Sequence, residues 1–304
     1  MENIAIAIHG GAGRDSEFIK ENKAAYIEGL KKGIACGYRV LEKGGSALDA
    51  VEEAVKNLED NSLFNAGRGS ALNSKGEVEM DAAIMDGETL KAGAVSMITN
   101  VKNPIVAARR VMERSNHVFL SGDGALEFAK NQNIELAPDS YFITDHQHEE
   151  FMQICNKEDM QQLLRQRIHG TVGAVAVDKQ GNLAAATSTG GTCNSLDGRI
   201  GDSCIIGAGT YANNKTVAIS GTGDGEFLIT RVIAHSISAE CRYTKHTLQQ
   251  ACDLVIHDYN KGIDGDIGVV SVNARGDFGI SFNSQRMHRA WMSSSVPLQV
   301  KIYE

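Results

Sequence analysis

Three threonines and one arginine–aspartate pair are the residues whose types and spacing could do hydrolytic chemistry. Thr171 follows Gly170 and opens a run of small and β-branched residues over 171–177. A glycine at 170 permits a strained backbone in which the peptide bond is open to attack by the next hydroxyl. Cleavage there would give Thr171 a free α-amine, with a reference pKa of about 7.7–8.0, so that part of it is neutral near pH 7.5. One residue would then be nucleophile and general base at once, with no histidine. Its plain reading is a β-former at the start of a strand. Asp178-Lys-Gln-Gly181-Asn182 reads as a hairpin turn. Centred on Gln180, it sets Thr189 opposite Thr171 and places a second hydroxyl beside the first; a bulge at Gly181 would shift this by one. Cross-strand Thr–Thr pairs are also ordinary in sheets. Arg199 and Asp202 share the short segment Gly198-Arg-Ile-Gly-Asp202. Arginine takes a carboxylate by a bidentate fork and aspartate takes an ammonium, so the pair suits a zwitterionic α-amino acid. A local salt bridge is the simpler alternative. Thr222 and Gly223 lie before a helix, where a hydroxyl and a backbone N–H can stabilise an oxyanion, or where they simply make a tight turn and cap.

Other chemistries are excluded. The glycines of His9-Gly-Gly-Ala-Gly13 and Gly221-x-Gly-x-Gly225 lack the spacing and the second strand of a dinucleotide fingerprint, and no phosphate-binding P-loop is present. There is no G-x-S-x-G elbow and no H-E-x-x-H, and the 9 histidines are scattered without a catalytic pattern. A net charge of −8 argues against nucleic acid as a partner. The 6 cysteines form no C-x-x-C pair or zinc cluster and read as reduced thiols. The first residues resemble no signal peptide, and no run of about 18 apolar residues suggests a membrane span. These readings place the protein in the cytoplasm.

The elements that must position these residues can be outlined. Residues 3–8 read as a buried strand that ends at the glycines of 9–13. Ser16 caps a long helix to Lys43, stopped by Gly44-Gly45, and Ser46 caps a second helix to Asp60, with Asp49 at the capping-box position. Strands over 78–84 and 92–98 follow, then helices near 104–115 and 123–132. Residues 139–168 are polar, contain no glycine and read as a surface linker with some helical character. Beyond it the chain predicts a strand hairpin over 171–189, a glycine-rich stretch over 190–209, and a strand over 216–220. Helices over 226–243 and 247–259 come next, and a last hairpin covers 269–282. This order suggests sheets layered with helix pairs rather than regular βαβ units.

The motifs together resemble the isoaspartyl peptidase/plant-type L-asparaginase family of N-terminal nucleophile hydrolases. The resemblance is carried by His169-Gly-Thr171-Val-Gly, Ala186-Thr-Ser-Thr-Gly-Gly191, Gly198-Arg-Ile-Gly-Asp-Ser203, Gly207-Ala-Gly-x-Tyr-Ala212 and Thr222-Gly-x-Gly-Glu226. In the first half it is carried by His9-Gly-Gly-Ala-Gly13, Gly44-Gly-Ser-Ala-x-Asp-Ala-Val51, Phe64-Asn-Ala-Gly67, Met80-Asp-Ala-x-Ile-Met-Asp-Gly87 and Lys91-Ala-Gly-Ala-Val-Ser96. It implies an α+β fold, a four-layer αββα sandwich, made as one precursor that cleaves itself between Gly170 and Thr171. Length alone suggests two domains; the resemblance replaces them with an α part, 1–170 including the linker, and a β part, 171–304, in one folded unit.

Further roles follow from the resemblance. Thr171 is the nucleophile and Thr189 supports it. Arg199 and Asp202 grip the aspartyl end of the substrate, Thr222 and Gly223 form the oxyanion hole, and Gly225 lines the amine site. Asn65 is the active-site asparagine of the α part. Backbone carbonyls of Leu58, Glu59, Asn61, Phe64, Ala66 and Arg68 would hold a structural sodium ion, and no cofactor is needed for catalysis. The expected partners are small-molecule or dipeptide substrates, with no nucleic acid or membrane, and a dimer of αβ units. The expected activity is hydrolysis of β-aspartyl peptides and L-asparagine, releasing L-aspartate. The alternatives are a glycosylasparaginase-like amidohydrolase and a non-processing relative that binds aspartate.

Overall fold

The computed structural model describes residues 3–155 and 170–304. Two sheets form the centre. The larger has eight strands, built from β1 (Ala5–Gly13), β2 (Met80–Asp86), β3 (Ala92–Ile98), β4 (Phe119–Ser121), β5 (Val172–Val177), β6 (Leu183–Thr189), β11 (Arg286–Ser293) and β12 (Gln299–Lys301). Their order across the sheet is β12-β11-β1-β5-β6-β2-β3-β4. The smaller sheet has the order β10-β9-β8-β7, from β7 (Thr210–Ala212), β8 (Ala218–Gly223), β9 (Ile267–Val272) and β10 (Phe278–Phe282).

Strand periodicity explains the layering. Successive side chains point to opposite faces. Along β1, Ile6 and Ile8 join a core with Leu30, Ile34, Val51 and Val55 of the helices α2 (Lys23–Glu42) and α3 (Ala47–Glu59), while Ala5 and Ala7 join a core between the sheets. In β8, Ala218 faces that middle core, and Ile219 faces a third core with Ile233, Ile237, Leu248 and Val255. Three cores between four layers make the αββα sandwich that the family resemblance implies. Both strand faces are covered, so the central strands read as continuous runs of small and apolar residues.

The caps form as expected. Ser16 Oγ accepts from Ile19 N at 3.2 Å, and Ser46 Oγ accepts from Asp49 N at 3.1 Å while donating to the Asp49 carboxylate. Several elements differ from the sequence reading. The first strand does not end at residue 8; it continues through the glycines to Gly13. Gly11 and Gly13 take φ of 110° and 150°, and the pairing with β11 slips between His9 and Ala12. The first long helix is divided at Asn22, whose side chain takes the Phe18 carbonyl at 2.9 Å. The helix expected over 226–243 breaks into Gly225–Thr230 and Ile233–Tyr243. Val232 between them is left-handed (φ 49°), and the N–H groups of Ala234 and His235 bond to the carbonyls of Ala208 and Gly207 instead of a preceding turn. The described part of the expected linker is helical, over Asp139–Phe142 and Asp145–Cys155; the rest of it, with His169, lies outside the described residues. All six cysteines are free thiols. Among the described residues no helix is long and apolar enough to cross a membrane.

The strand β11 is not foreseen at all. Arg286-Met-His-Arg289 looks like surface sequence, yet it pairs with β1, and Arg286, His288 and Arg289 are buried. The two arginines find partners within the fold, while His288 Nε2 has no hydrogen-bond partner among the described residues. Arg286 Nε donates to Arg14 O, Arg289 Nη1 donates to Met287 O, the Arg289 guanidinium lies 4.6 Å from the Phe282 ring centre, and His288 stacks on Tyr26.

One packing contact gives a stability test. A Cβ on Gly37 of α2 would lie 2.7 Å from Ala50 O and 2.5 Å from Ile6 Cδ1. Alanine gains about 1 kcal/mol of helix propensity over glycine, but the Ala50 carbonyl belongs to α3 and cannot move independently. Overpacking of this kind costs about 1–3 kcal/mol, so Gly37→Ala is expected to lower the thermal unfolding midpoint; an unchanged or raised midpoint would refute the tight α2–α3 contact.

Candidate active site

The hairpin register places the two central threonines. β5 and β6 pair Val172 with Ser188 and Val177 with Leu183, so the left-handed Gly181 of the turn does not shift the register. Extending this pairing by one residue sets Thr171 opposite Thr189, and Thr171 Oγ1 donates to Thr189 Oγ1 at 3.3 Å. Both are buried, at 4% and 3% exposure.

The Gly170 carbonyl oxygen accepts two hydrogen bonds, from Asn65 Nδ2 at 2.9 Å and from Thr189 Oγ1 at 3.1 Å. Asn65 is itself fixed: Nδ2 also donates to Gly191 O at 2.7 Å, and Oδ1 accepts from Ala71 N at 2.8 Å. Gly170 and Gly11 keep this place clear. A Cβ on Gly170 would lie 2.9 Å from Asn65 Cβ, and one on Gly11 would lie 3.0 Å from Gly170 Cα.

The second sheet supplies Thr222 and Gly223. They are the last residues of β8, not a loop before a helix as the sequence suggests. Thr222 Oγ1 accepts from Ala12 N at 3.2 Å, so β1 ties it to the first sheet. Gly223 takes φ 127°, and a Cβ there would lie 2.1 Å from Asp266 O, so no other residue fits this backbone.

Arg199 and Asp202 lie on the connection from β6 to β7. They do not form the local salt bridge that is the simpler reading of the sequence. The Nε and Nη2 groups of Arg199 instead pair with the two oxygens of Glu226, each at 3.2 Å. Asp202 is buried, and its Oδ2 has no hydrogen-bond partner among the described residues. Burial pushes its pKa up to about 7, against the opposing pull of Arg199. Burial also works against the Arg199 charge, but Glu226, Asp202 and Asp81 hold its pKa above the ordinary value. A Cβ on Gly209 would lie 2.4 Å from Asp202 Oδ2, and one on Gly225 would lie 2.8 Å from Arg199 Nη2 and 2.9 Å from Asp202 Oδ1. These two glycines let the backbone lie directly against the Asp202 carboxylate and the Arg199 guanidinium, an anion and a cation that together suit both ends of an amino acid.

The sequence reading missed three residues here. Asp81 accepts from Gly201 N at 2.8 Å and from Met97 N at 3.0 Å, and so pins the Arg199–Asp202 segment to β2; burial raises its pKa to about 6. Glu226 holds Arg199. His9 bonds to the Thr171 carbonyl at 3.0 Å. Asp81 and Glu226 stood in recognised motifs, but nothing in their spacing shows which loop they would meet.

The loop after α3 was expected to offer carbonyls to an ion. Leu58, Glu59, Asn61 and Phe64 each present a carbonyl that accepts a backbone N–H of the same loop, from Asn61, Arg68, Phe64 and Ala66 respectively. A carbonyl oxygen has a second lone pair for a ligand. A Cβ on Gly67 would lie 2.5 Å from Glu59 O, and one on Gly69 would lie 2.6 Å from Ser62 O and 2.8 Å from Phe64 O. The donor set is neutral main-chain oxygen, which fits a hard cation of low charge. Among the described residues no His, Cys, Asp or Glu cluster could hold a metal.

Asp202 gives this geometry a pH signature. A substrate ammonium needs the ionised carboxylate, and protonation of free Asp202 sets in as pH falls through about 7. The bound ammonium holds the carboxylate ionised. KM for an aspartyl substrate is therefore expected to rise below pH 7 more steeply than kcat falls, read from initial rates between pH 5.5 and 8.5 (an assay range chosen around the pKa of about 7). A KM flat across that range would reject Asp202 as the ammonium partner.

Comparison with known proteins agrees with this architecture. The model of the family described as Asparaginase matches residues 2–302. The isoaspartyl peptidase of Salmonella typhimurium is 44% identical over 299 residues, covering 96% of each chain. The isoaspartyl peptidase/L-asparaginase of Xenopus laevis is 43% identical, covering 98% of this chain and 94% of the relative. That of Homo sapiens is 41% identical, covering 94% and 92%. With a family model spanning nearly its whole length and relatives this similar from end to end, the chain belongs to the asparaginase family.

Proposed function

We propose that this protein is an amidohydrolase that cuts itself before Thr171 and then hydrolyses β-aspartyl peptides and L-asparagine, releasing L-aspartate. The relatives named isoaspartyl peptidase and isoaspartyl peptidase/L-asparaginase support the substrate class. The observation that carries the reading is the Gly170 carbonyl, held by Asn65 Nδ2 and Thr189 Oγ1 where a negative charge would develop.

In self-cleavage, Thr171 Oγ1 adds to the Gly170 carbonyl carbon and the C–N bond breaks. The acyl group passes from nitrogen to oxygen, and water hydrolyses the ester. Gly170 is left with a carboxylate and Thr171 with a free amine. Turnover repeats the chemistry on substrate. Arg199 takes the α-carboxylate, and Asp202 takes the α-ammonium beside Gly225. Thr171 Oγ1 attacks the side-chain carbonyl, its amine accepts the proton and passes it to the leaving ammonia or amine. The Thr222 hydroxyl and Gly223 N–H hold the oxyanion, and water then splits the β-aspartyl ester. The Thr222 hydroxyl is suited to this role, because it accepts from Ala12 N and keeps its own hydrogen to donate. No cofactor enters these steps. A sodium ion on the carbonyls of the loop 58–68 would brace the turn that carries Asn65. The mature form is a cytoplasmic dimer of αβ units.

Intact mass tests the first step: the purified protein is expected as two pieces, 1–170 and 171–304. Thr171→Ala is expected to remain one chain with no ammonia release from asparagine; turnover by that variant would reject Thr171 as nucleophile. Asn65→Ala removes one donor from the Gly170 carbonyl, and self-cleavage is expected to slow about 10²–10³-fold, followed as conversion of full-length chain by gel. Cleavage at the wild-type rate would show that the Asn65 hydrogen bond plays no part.

A further inference from the structure

A file of buried polar groups runs between the two sheets and ends on the backbone of Thr171. Thr210 Oγ1 lies 2.6 Å from Thr187 Oγ1, which lies 2.7 Å from Ser220 Oγ. Ser220 Oγ lies 2.8 Å from His9 Nε2, and His9 Nδ1 lies 3.0 Å from the Thr171 carbonyl oxygen. All four side chains have zero solvent exposure.

The direction of these bonds can be worked out from the end that has no choice. A carbonyl only accepts, so His9 Nδ1 carries a hydrogen. Burial pushes the His9 pKa down to about 3, so the ring is neutral and Nε2 is an acceptor. Ser220 must therefore donate to Nε2, and Thr187 must donate to Ser220. The tautomer of His9 is thus set by a hydroxyl on the opposite sheet. Gly173 makes room for the file: a Cβ there would lie 2.0 Å from Ser220 Oγ and 2.4 Å from His9 Nε2. The glycine two residues after Thr171 is the notch through which the bond passes.

We propose that His9, oriented by Ser220 and Thr187, is a positioning residue that anchors the Thr171 carbonyl and so holds the Thr171 hydroxyl against Thr189. This rests on the reading of Thr171 as nucleophile. Thr171 precedes the paired residues of β5, and after cleavage it becomes a chain terminus, which frays unless tied down. A bond to its carbonyl restrains the residue from the side away from the substrate. It touches neither substrate nor reacting atoms, so its loss is felt in kcat and not in binding.

The experiment compares Ser220→Ala, His9→Leu, His9→Asn and Thr187→Val with the wild type. Each is normalised to cleaved chain by intact mass, with asparagine as substrate. His9→Asn puts an amide N–H near the place of Nδ1; His9→Leu has no donor. Misplacement of a reacting group by about 1 Å can cost on the order of 10²-fold. Ser220→Ala and His9→Leu are therefore expected to lose about 10- to 100-fold in kcat with KM within about twofold, and His9→Asn is expected to recover most of the loss. Thr187→Val keeps the side-chain shape and breaks the file one link further away. It is expected to lose kcat in the same sense, and it serves if His9→Leu does not fold. Lower melting temperatures with unchanged kcat per cleaved chain would overturn the proposal, as would equal losses in His9→Asn and His9→Leu. Full turnover by uncut wild-type chain would instead sink the reading of Thr171, whatever the variants do.

Discussion

The pairing register of one hairpin is the constraint on which the site depends. β5 and β6 meet with Val172 against Ser188, and only that register brings the hydroxyls of Thr171 and Thr189 within 3.3 Å of each other. A slip of one residue would turn every side chain of the strand to the other face. The register is defended from both sides. Val172, Ala174 and Ala176 pack in the helix-side core, and Val175 and Val177 pack between the sheets. Asp178 closes the turn, with Oδ1 accepting from the N–H groups of Gln180 and Asn182 at 3.0 Å. The alignment of these two hydroxyls is thus a by-product of core packing, and the energy that secures it is mostly hydrophobic.

Around this fixed pair the structure arranges charge by excluding water. Arg199 is a cation amid Glu226, Asp202 and Asp81. Three acids surround one base, and burial raises the pKa of Asp202 to about 7 and of Asp81 to about 6. An α-amino acid brings an ammonium to this excess of acid. In the proposed binding mode its carboxylate shares Arg199 with Glu226. Binding at such a site discriminates against ligands lacking the ammonium, because they leave Asp202 with an unpartnered oxygen in a dry place.

How far the sequence discloses this depends on the range of the interaction. Thr171 and Thr189 are readable because turn and alternation act over 18 residues. Arg199 and Asp202 are readable as types, but their partners are not. Glu226 lies 27 residues on, and the contact between Asp81 and Gly201 spans 120. β11 escapes sequence reasoning because its buried arginines are satisfied by carbonyls of residues 14, 287 and 303, which no local pattern announces. The helix break at Val232 has the same origin: carbonyls of the 207–209 segment take the place of a preceding helical turn. Strand and helix periodicity are local and give sheets layered with helix pairs; the four-layer order is what the family resemblance implies.

The glycines connect these scales. Gly173 admits the His9–Ser220 bond, Gly170 and Gly11 allow close backbone approach beside Thr171, and Gly209 and Gly225 lie directly against Asp202 and Arg199. In each case a Cβ would lie within 3.0 Å of a neighbouring atom. A glycine in a strand weakens it, so these strands are held by their two covered faces and not by propensity. That explains why the site lies where two sheets face each other. Only there is enough apolar surface buried on both sides to tolerate glycine-rich backbone, a neutral buried histidine and buried carboxylates with raised pKa values within one small volume.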